Sequence, residues 1–203
     1  MGQQPRAEET RSRILTAAQE NFARYGYDAT GVAEICRLAN VSKGAFYHHF
    51  PSKQAVFLEL LNDWLAELDT QLETVRAGAE TVPEALVQMA GMARLVFQAA
   101  DGQLPIFLEF WTKAAHDPAI WQAMIAHYRR YQAFFTNMIK AGIAEGTILP
   151  VEPETTAQVI VSLAVGLVLQ GLLDPHGADW GQVAQEGVRM ILDSISINKP
   201  MNQ

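Results

Sequence analysis

Apolar residues along this chain recur every three or four positions, which is the spacing of one face of an α-helix. In the first segment, five apolar residues share such a face: Ile14, Leu15, Ala18, Phe22 and Tyr25. Gly26 follows them, where a helix commonly ends. No segment shows the strict alternation of a β-strand, and the pair Asp101-Gly102 stands between two helix-like segments. The pattern therefore predicts an all-α protein.

Helix start and stop signals divide the chain into nine predicted helices. Their ranges are 7–25, 32–39, 43–49, 53–77, 81–100, 104–115, 118–145, 154–173 and 179–195. Of the three helices within the first 50 residues, the second and third are short, and the helices that follow are longer. We therefore expect a three-helix head over residues 1–52 and a six-helix body over residues 53–203. The helix that begins at Lys53 joins the two parts.

The second and third predicted helices form a helix-turn-helix corner. Asn40-Val41-Ser42 is a tight turn, because Asn tolerates a left-handed backbone and Ser is a good N-cap. In DNA-binding proteins with this corner, the second helix enters the major groove. Phe46 and Phe50 lie four residues apart, so they can anchor one face of that helix.

The other face of the third helix carries the candidate DNA contacts. The residues left on its outer side are Lys43, Gly44, Ala45, Tyr47 and His48. Lys43 can reach a phosphate or a guanine edge, and Tyr47 can donate a hydrogen bond to a phosphate. Gly44 and Ala45 allow the backbone to approach the duplex closely. Lys53 stands at the start of the next helix, where free backbone N–H groups also attract phosphate.

Charge is unevenly distributed, although the net charge of −7 argues against nucleic acid at first sight. Residues 1–53 hold seven Lys and Arg against five Asp and Glu, whereas residues 54–203 hold eight against 17. A basic head on an acidic body can approach phosphates with one end. The same corner also occurs in helical proteins that do not bind DNA. A DNA-binding regulator, a helical interaction protein without a DNA role and a small all-α enzyme therefore remain open from the residues alone.

Residues 10–60 resemble the DNA-binding domain of the TetR family of transcriptional regulators. The matching positions are Ile14, Ala17, Phe22, Gly26, Tyr27, Thr30, Val32, Ile35, Ala39 to Tyr47, His49, Phe50 and Lys53. The resemblance implies a homodimeric repressor that binds a palindromic operator and carries a ligand-binding C-terminal domain. Outside residues 10–60, only the length and the helical pattern are similar.

Residue roles follow from this resemblance position by position. Thr30, Tyr47 and Lys53 match positions that contact phosphate, and the recognition-helix region is matched by Ser42, Lys43, Gly44, Ala45 and His48. Two positions depart from the family pattern. Gly31 stands where Ser or Thr is usual, so one phosphate-contacting hydroxyl is missing, and Asn40 replaces a turn glycine.

The predicted helix from Glu154 to Leu173 is apolar on nearly every side, so it must be buried on several sides. Its uninterrupted apolar run is too short for a membrane span. The core of a monomer and a dimer interface remain as alternatives. We favour the interface, because Gly166 permits close helix contact and the last helix is a natural partner.

Aromatic and Met side chains in the body are candidate contacts of a small hydrophobic or aromatic effector. The candidates are Met89, Met92, Phe107, Glu109, Phe110, Trp111, Met124 and Tyr128, of which Glu109 would orient a polar or cationic group. Residues of this kind at helical spacing also form ordinary cores, and that alternative stays open. We hypothesise that ligand binding moves the helix that begins at Lys53 and thereby lowers DNA affinity.

Catalytic and metal-binding patterns are missing from the sequence. It has no nucleophile elbow, phosphate-binding loop or dinucleotide fingerprint, and its single Cys36 excludes a disulfide framework. His48 and His49 are adjacent, so they point in different directions on a helix. We predict that the protein is not an enzyme and needs no cofactor or metal. The N-terminus lacks a secretory signal, which predicts a cytoplasmic protein.

Overall fold

The computed structural model describes residues 4–93 and 104–197, and side chains over 6–93 and 109–197. Within these residues the chain forms nine α-helices and no strand, which confirms the all-α prediction. The helices are α1 (Gln4–Tyr25), α2 (Val32–Ala39), α3 (Lys43–His49), α4 (Lys53–Gly78), α5 (Val82–Gly91), α6 (Leu104–Ala114), α7 (Pro118–Glu145), α8 (Pro153–Leu173) and α9 (Trp180–Ile195).

Helix ends lie where the local sequence places them. Gly26 and Gly146 follow α1 and α7 with φ of +81° and +70°, which glycine adopts without strain. Asn40 ends α2 in the left-handed region, at φ 52°. Ser42 and Ser52 begin α3 and α4, and their hydroxyls accept hydrogen bonds from Ala45 N and Ala55 N at 3.1 Å.

Several helix boundaries differ from the prediction by one to three residues, as at α1, which begins at Gln4 and not at Ala7, and one differs by more. α5 was expected to reach Ala100, but it ends at Gly91 and a turn at Met92 follows. Residues 94–100 lie outside the described part of the chain. α8 begins at Pro153 because the Glu152 carboxylate accepts a hydrogen bond from Thr155 N at 3.2 Å. A Glu is a less common N-cap than Ser or Asp, so the sequence did not mark this start.

Contacts divide the described residues into two compact units. One contains residues 4–67 and 104–124, and the other contains residues 68–93 and 125–197. The division falls inside α4 and inside α7, so each of these helices contributes to both units. α6 lies in the same unit as the helix-turn-helix corner.

The unit that contains α1–α3 has an aromatic core. Phe22, Phe46 and Phe57 are fully buried. The Phe57 ring stacks on the Phe110 ring of α6 at a centroid distance of 3.9 Å and meets the Phe22 ring edge-on at 5.5 Å. Aromatic pairs in these arrangements add to the free energy of area burial. The core therefore ties α1, α4 and α6 together beneath the corner.

The other unit is built on an aliphatic core. Its buried members are Leu72, Val82, Ala85, Leu86, Met89, Met138, Ile139, Ile148, Ile160, Val188 and Leu192. A short antiparallel pairing closes this unit, because Leu149 N donates to Ile195 O at 2.7 Å and Ile197 N donates to Thr147 O at 3.0 Å. The segment after α9 is thus fixed against the loop after α7.

α8 is the most apolar helix of the described chain, and it is long and apolar enough to cross a membrane by length and composition alone. Only 28% of its most apolar window is buried within the single chain. Val159, Leu169 and Leu173 are exposed on α8, and Val183 and Met190 are exposed on α9. α9 packs against α8 closely enough that a Cβ at Gly187 would lie 3.0 Å from Leu163 Cδ2.

Gly142 inside α7 allows the tightest contact in the aliphatic core. A Cβ there would lie 2.6 Å from Ile148 Cδ1 and 3.2 Å from Val82 Cβ, and both neighbours are fully buried. We expect Gly142→Ala to lower the free energy of unfolding in urea by about 1–3 kcal/mol through overpacking, despite the better helix propensity of Ala. Gly91→Ala is the matched control, because the added methyl meets only the amide end of the flexible Gln185 side chain. Equal stability of the two variants would contradict the packing described here.

Candidate nucleic-acid interface

α3 is anchored by one face, as predicted. The Phe46 and Phe50 side chains are 0% and 3% exposed, and their ring centroids lie 6.2 Å apart. The Arg11 guanidinium of α1 lies over the Phe50 ring at 5.4 Å from its centroid. Burial of two phenylalanines fixes a helix of seven residues that would not persist alone.

The opposite face of α3 is open to solvent. The exposed residues there are Lys43, Gly44, Tyr47 and His48. Ala45 is half-buried, and its N–H is held by the exposed Ser42 hydroxyl. Tyr47 is 54% exposed, and its ring meets the Phe46 ring edge-on at 5.3 Å, which fixes the direction of the phenol. The structure therefore brings Ser42, Lys43, Gly44, Tyr47 and His48 to one accessible surface.

α2 contacts both α1 and α3, and its buried residues are Ile35, Cys36 and Ala39. Its N-cap is Gly31, which makes no side-chain hydrogen bond to the helix. A Cβ at Gly31 would meet no atom within 4 Å. In the family pattern, this position carries a Ser or Thr whose hydroxyl contacts phosphate. Here that hydroxyl is missing because the residue is glycine, although there is space for a side chain.

Two of the predicted phosphate contacts have partners inside the protein. The Thr30 side chain is 2% exposed, and its hydroxyl donates to Gly26 O at 2.8 Å. The Lys53 ammonium donates to Tyr27 O at 2.6 Å and to Thr30 O at 2.8 Å. Burial lowers the pKa of Lys53, because desolvation disfavours the charged form. The roles of Thr30 and Lys53 toward DNA stay predictions.

The candidate effector contacts are divided between the two compact units. Met89 is buried in the aliphatic core and Met92 packs against it. Phe110 is buried against Phe57 in the unit with α1–α3, where Trp111 is 43% exposed. Met124 is half-buried, and Tyr128 is 38% exposed and accepts a hydrogen bond from Gln132 at 3.1 Å. The side chain of Phe107 lies outside the described residues.

Glu109, the remaining candidate, contacts the turn between α1 and α2. Its carboxylate accepts a hydrogen bond from Tyr27 N at 2.5 Å. One helical turn later, the Lys113 ammonium donates to both carboxylate oxygens of Asp28 at 2.6 Å. The hydrogen bond from Lys113 lowers the pKa of the Asp28 carboxyl. No local pattern predicts these contacts, because their partners are more than 80 residues apart in the chain.

Titratable residues elsewhere do not assemble into a metal site. Among residues 4–93 and 104–197, no group of three or more His, Cys, Asp or Glu is placed to hold a metal ion. The adjacent rings of His48 and His49 are 5.2 Å apart and nearly perpendicular. The accessible surface of α3 therefore carries an ammonium, a phenol and an imidazole, and these groups are not arranged as ligands of a metal ion.

Two models of known protein families match this chain. Residues 14–60 match the family model described as bacterial regulatory proteins, tetR family. Residues 83–195 match the model described as BetI-type transcriptional repressor, C-terminal. The two matches together cover the corner described above and most of the chain that follows it.

Two individual relatives are similar over most of this chain. The chain is 31% identical over 159 residues to the uncharacterized HTH-type transcriptional regulator YhgD of Bacillus subtilis, covering 76% of this chain and 80% of that protein. It is 32% identical over 203 residues to the A-factor receptor protein of Streptomyces griseus, covering 97% of this chain and 67% of that protein.

Solved structures share the fold. A regulator from Saccharomonospora viridis, solved in complex with choline, superposes with a TM-score of 0.81 at 22% identity and covers 94% of this chain and all of that one. A TetR-family regulator from Agrobacterium tumefaciens gives a TM-score of 0.76 at 18% identity, with 94% and 100% coverage. With the two family matches and an accessible helix-turn-helix, the chain belongs to the TetR family and is a ligand-responsive transcriptional regulator.

Proposed function

We propose that this protein is a cytoplasmic repressor that binds a palindromic DNA operator as a homodimer and releases it when a small effector binds. The observation that carries the proposal is the asymmetry of α3. Phe46 and Phe50 bury one face completely, while Lys43, Tyr47 and His48 are left accessible on the other. A helix held in this way fits the width of the major groove.

The accessible residues divide into two kinds of contact. The Tyr47 phenol and the Lys43 ammonium supply phosphate contacts, which set affinity and position. Base edges are read at the start of α3, where Gly44 has no side chain and Ala45 carries only a methyl group. Ser42 and His48 complete the contact surface. A short, nearly bare stretch of helix lets the backbone itself approach the bases.

A second copy of the chain is the proposed cover of α8 and α9. Val159, Leu169 and Leu173 are exposed on α8 and Gly166 is half-buried. These four residues follow one another at intervals of seven, three and four residues, so they form one stripe on the helix. Val183 and Met190 are seven residues apart on the exposed side of α9. Apolar stripes on two neighbouring helices form an exposed patch of the kind that marks a protein interface. Two helices from each subunit then build a four-helix seam.

The proposed effector is a small hydrophobic or aromatic molecule that contacts the body, over residues 53–203. The proposal rests on the Met and aromatic side chains of α5–α7, among them Met89, Trp111 and Tyr128. One structural neighbour was solved with choline and one relative is an A-factor receptor, so small organic effectors occur among similar proteins. Effector binding would shift the helix that begins at Lys53 and change the spacing of the two α3 helices.

DNA binding is tested with a duplex that the wild-type dimer selects from a randomised pool. We expect Tyr47→Phe to lower affinity about a hundredfold, roughly tenfold for each subunit, because it removes a hydrogen bond to a charged phosphate at both half-sites. We expect Lys43→Gln to make the salt dependence less steep, by about 1.8 in the slope of log K against log salt if each subunit loses one phosphate contact. Fluorescence anisotropy at several KCl concentrations measures both.

The matched control is Arg129→Gln, which removes an exposed cation from α7 in the other compact unit. Its affinity and salt slope should equal those of the wild type. Failure of the wild-type protein to select any duplex at low salt would overturn the proposal and favour a helical interaction protein without a DNA role.

Dimerisation is tested by placing a charge on the proposed seam. Met190 is 74% exposed in the single chain, so Met190→Arg should leave the subunit folded. We expect the variant to be monomeric by light scattering and to bind the selected duplex at least tenfold more weakly, because the second half-site is lost. Leu149→Arg, an equivalent change at an exposed residue outside α8 and α9, should remain dimeric. A dimeric Met190→Arg protein would place the interface elsewhere.

A further inference from the structure

The turn between α1 and α2, residues 26–30, is held by side chains from two other helices of the same unit. It begins at Gly26, whose positive φ turns the chain out of α1. Its next N–H, that of Tyr27, donates to the Glu109 carboxylate of α6 at 2.5 Å. A Cβ at Gly26 would lie 2.7 Å from Glu109 Oε1. The missing side chain therefore admits the carboxylate to the backbone of the turn.

Lys53 holds the other side of the same turn. Two N–H donors of its ammonium reach Tyr27 O and Thr30 O, at 2.6 and 2.8 Å. The ammonium also lies 4.1 Å from the centroid of the Tyr27 ring, which is a favourable cation–π distance. An ammonium has three N–H donors. Two donors of Lys53 bind backbone carbonyls, and the Tyr27 ring also lies against the ammonium. At most one N–H donor of Lys53 is therefore left for a phosphate.

The Tyr27 ring is the common element of these contacts. It packs on Phe57 with a centroid distance of 4.4 Å and on Phe22 at 5.4 Å. Lys113 approaches the ring at 5.4 Å while it pairs with Asp28. Asp28 is 79% exposed, so this ion pair contributes less than the half-buried contacts of Glu109 and Lys53.

We propose that Lys53 and Glu109 are positioning residues for operator binding, which clamp residues 26–30 and so fix the place of α2 and α3. The clamp joins the segment directly before α2 to α4 and α6. Thr30 stabilises the same turn internally, because its buried hydroxyl donates a hydrogen bond to Gly26 O. The ion pair between Lys113 and Asp28 also belongs to the clamp, but it is more exposed and therefore weaker. The proposal rests on the proposed DNA-binding function and assigns Lys53 a role other than phosphate contact.

Salt dependence and specificity separate the two roles of Lys53. A phosphate contact contributes to every sequence alike and to the salt slope. A positioning residue sets the register of α3 in the groove, so its loss weakens the selected duplex and leaves non-specific binding in place. The Tyr27 N–H needs an acceptor rather than a negative charge, so a Gln at position 109 can replace the Glu.

The experiment uses the full-length dimer, the duplex selected by the wild type and a scrambled duplex of equal length, with anisotropy titrations at several KCl concentrations. The variants are Lys53→Met, Glu109→Ala, Glu109→Gln and Lys113→Met, with Lys43→Gln as the phosphate-contact comparison. Circular dichroism establishes that each variant is folded at the assay temperature.

We expect Lys53→Met and Glu109→Ala to bind the selected duplex about a hundredfold more weakly, roughly tenfold for the loosened clamp of each subunit, with the salt slope unchanged. Affinity for the scrambled duplex should stay within about twofold, since the phosphate contacts are kept. Glu109→Gln should recover most of the loss, and Lys113→Met should show the smallest effect.

Equal losses on both duplexes for Lys53→Met, with a slope less negative by about 1.8 as for Lys43→Gln, would show a phosphate contact and overturn the proposal. Wild-type binding by folded Glu109→Ala would also overturn it. If Lys53→Met does not fold, the pair Glu109→Ala and Glu109→Gln decides the outcome. A wild type that selects no duplex fails earlier and overturns the proposed function itself, whereas failure of the clamp alone leaves DNA binding intact.

Discussion

The accessible surface of α3, which is the proposed contact with DNA, depends on the burial of Phe46 and Phe50. A helix of seven residues gains too few backbone hydrogen bonds to offset the cost of nucleation in water, so α3 exists because its apolar face is buried. That burial also decides orientation, since only one rotation of α3 places both rings in the core. Lys43 and Tyr47 are exposed as a consequence. The stability of the head and the accessibility of its polar face thus have one physical cause.

Local physics explains why much of this fold could be predicted from the sequence. The turn at Asn40, the N-cap at Ser42 and the glycine stop at Gly26 each depend on residues within four positions, and all three are present. The end of α5 at Gly91 was not predicted, because apolar periodicity continues beyond it. The cap at Glu152 was missed since a Glu side chain in that role carries little statistical signal.

The candidate site was less predictable than the fold, because its polar contacts are non-local. The positions of two phenylalanines predicted the exposed residues of α3 except Ala45, which is half-buried. It could not predict that Glu109 binds the Tyr27 N–H, 82 residues away, or that Lys53 donates to the carbonyls of the same turn. A carboxylate on an aromatic-rich helix indicates a ligand contact and a structural contact equally well. Only the fold of the whole unit decides which backbone group it meets.

The contacts of Glu109 constrain any effector role for this residue. One carboxylate oxygen accepts from Tyr27 N, and the other lies 2.7 Å from the point where a Cβ of residue 26 would stand. A cationic or hydrogen-bonding group bound to this carboxylate would therefore compete with the turn before α2, because both draw on the same negative charge. Recognition through Trp111, which is exposed on the same helix, involves no such competition. Within α6, an apolar contact and the clamp are compatible with each other, whereas a polar contact at Glu109 and the clamp compete for one carboxylate.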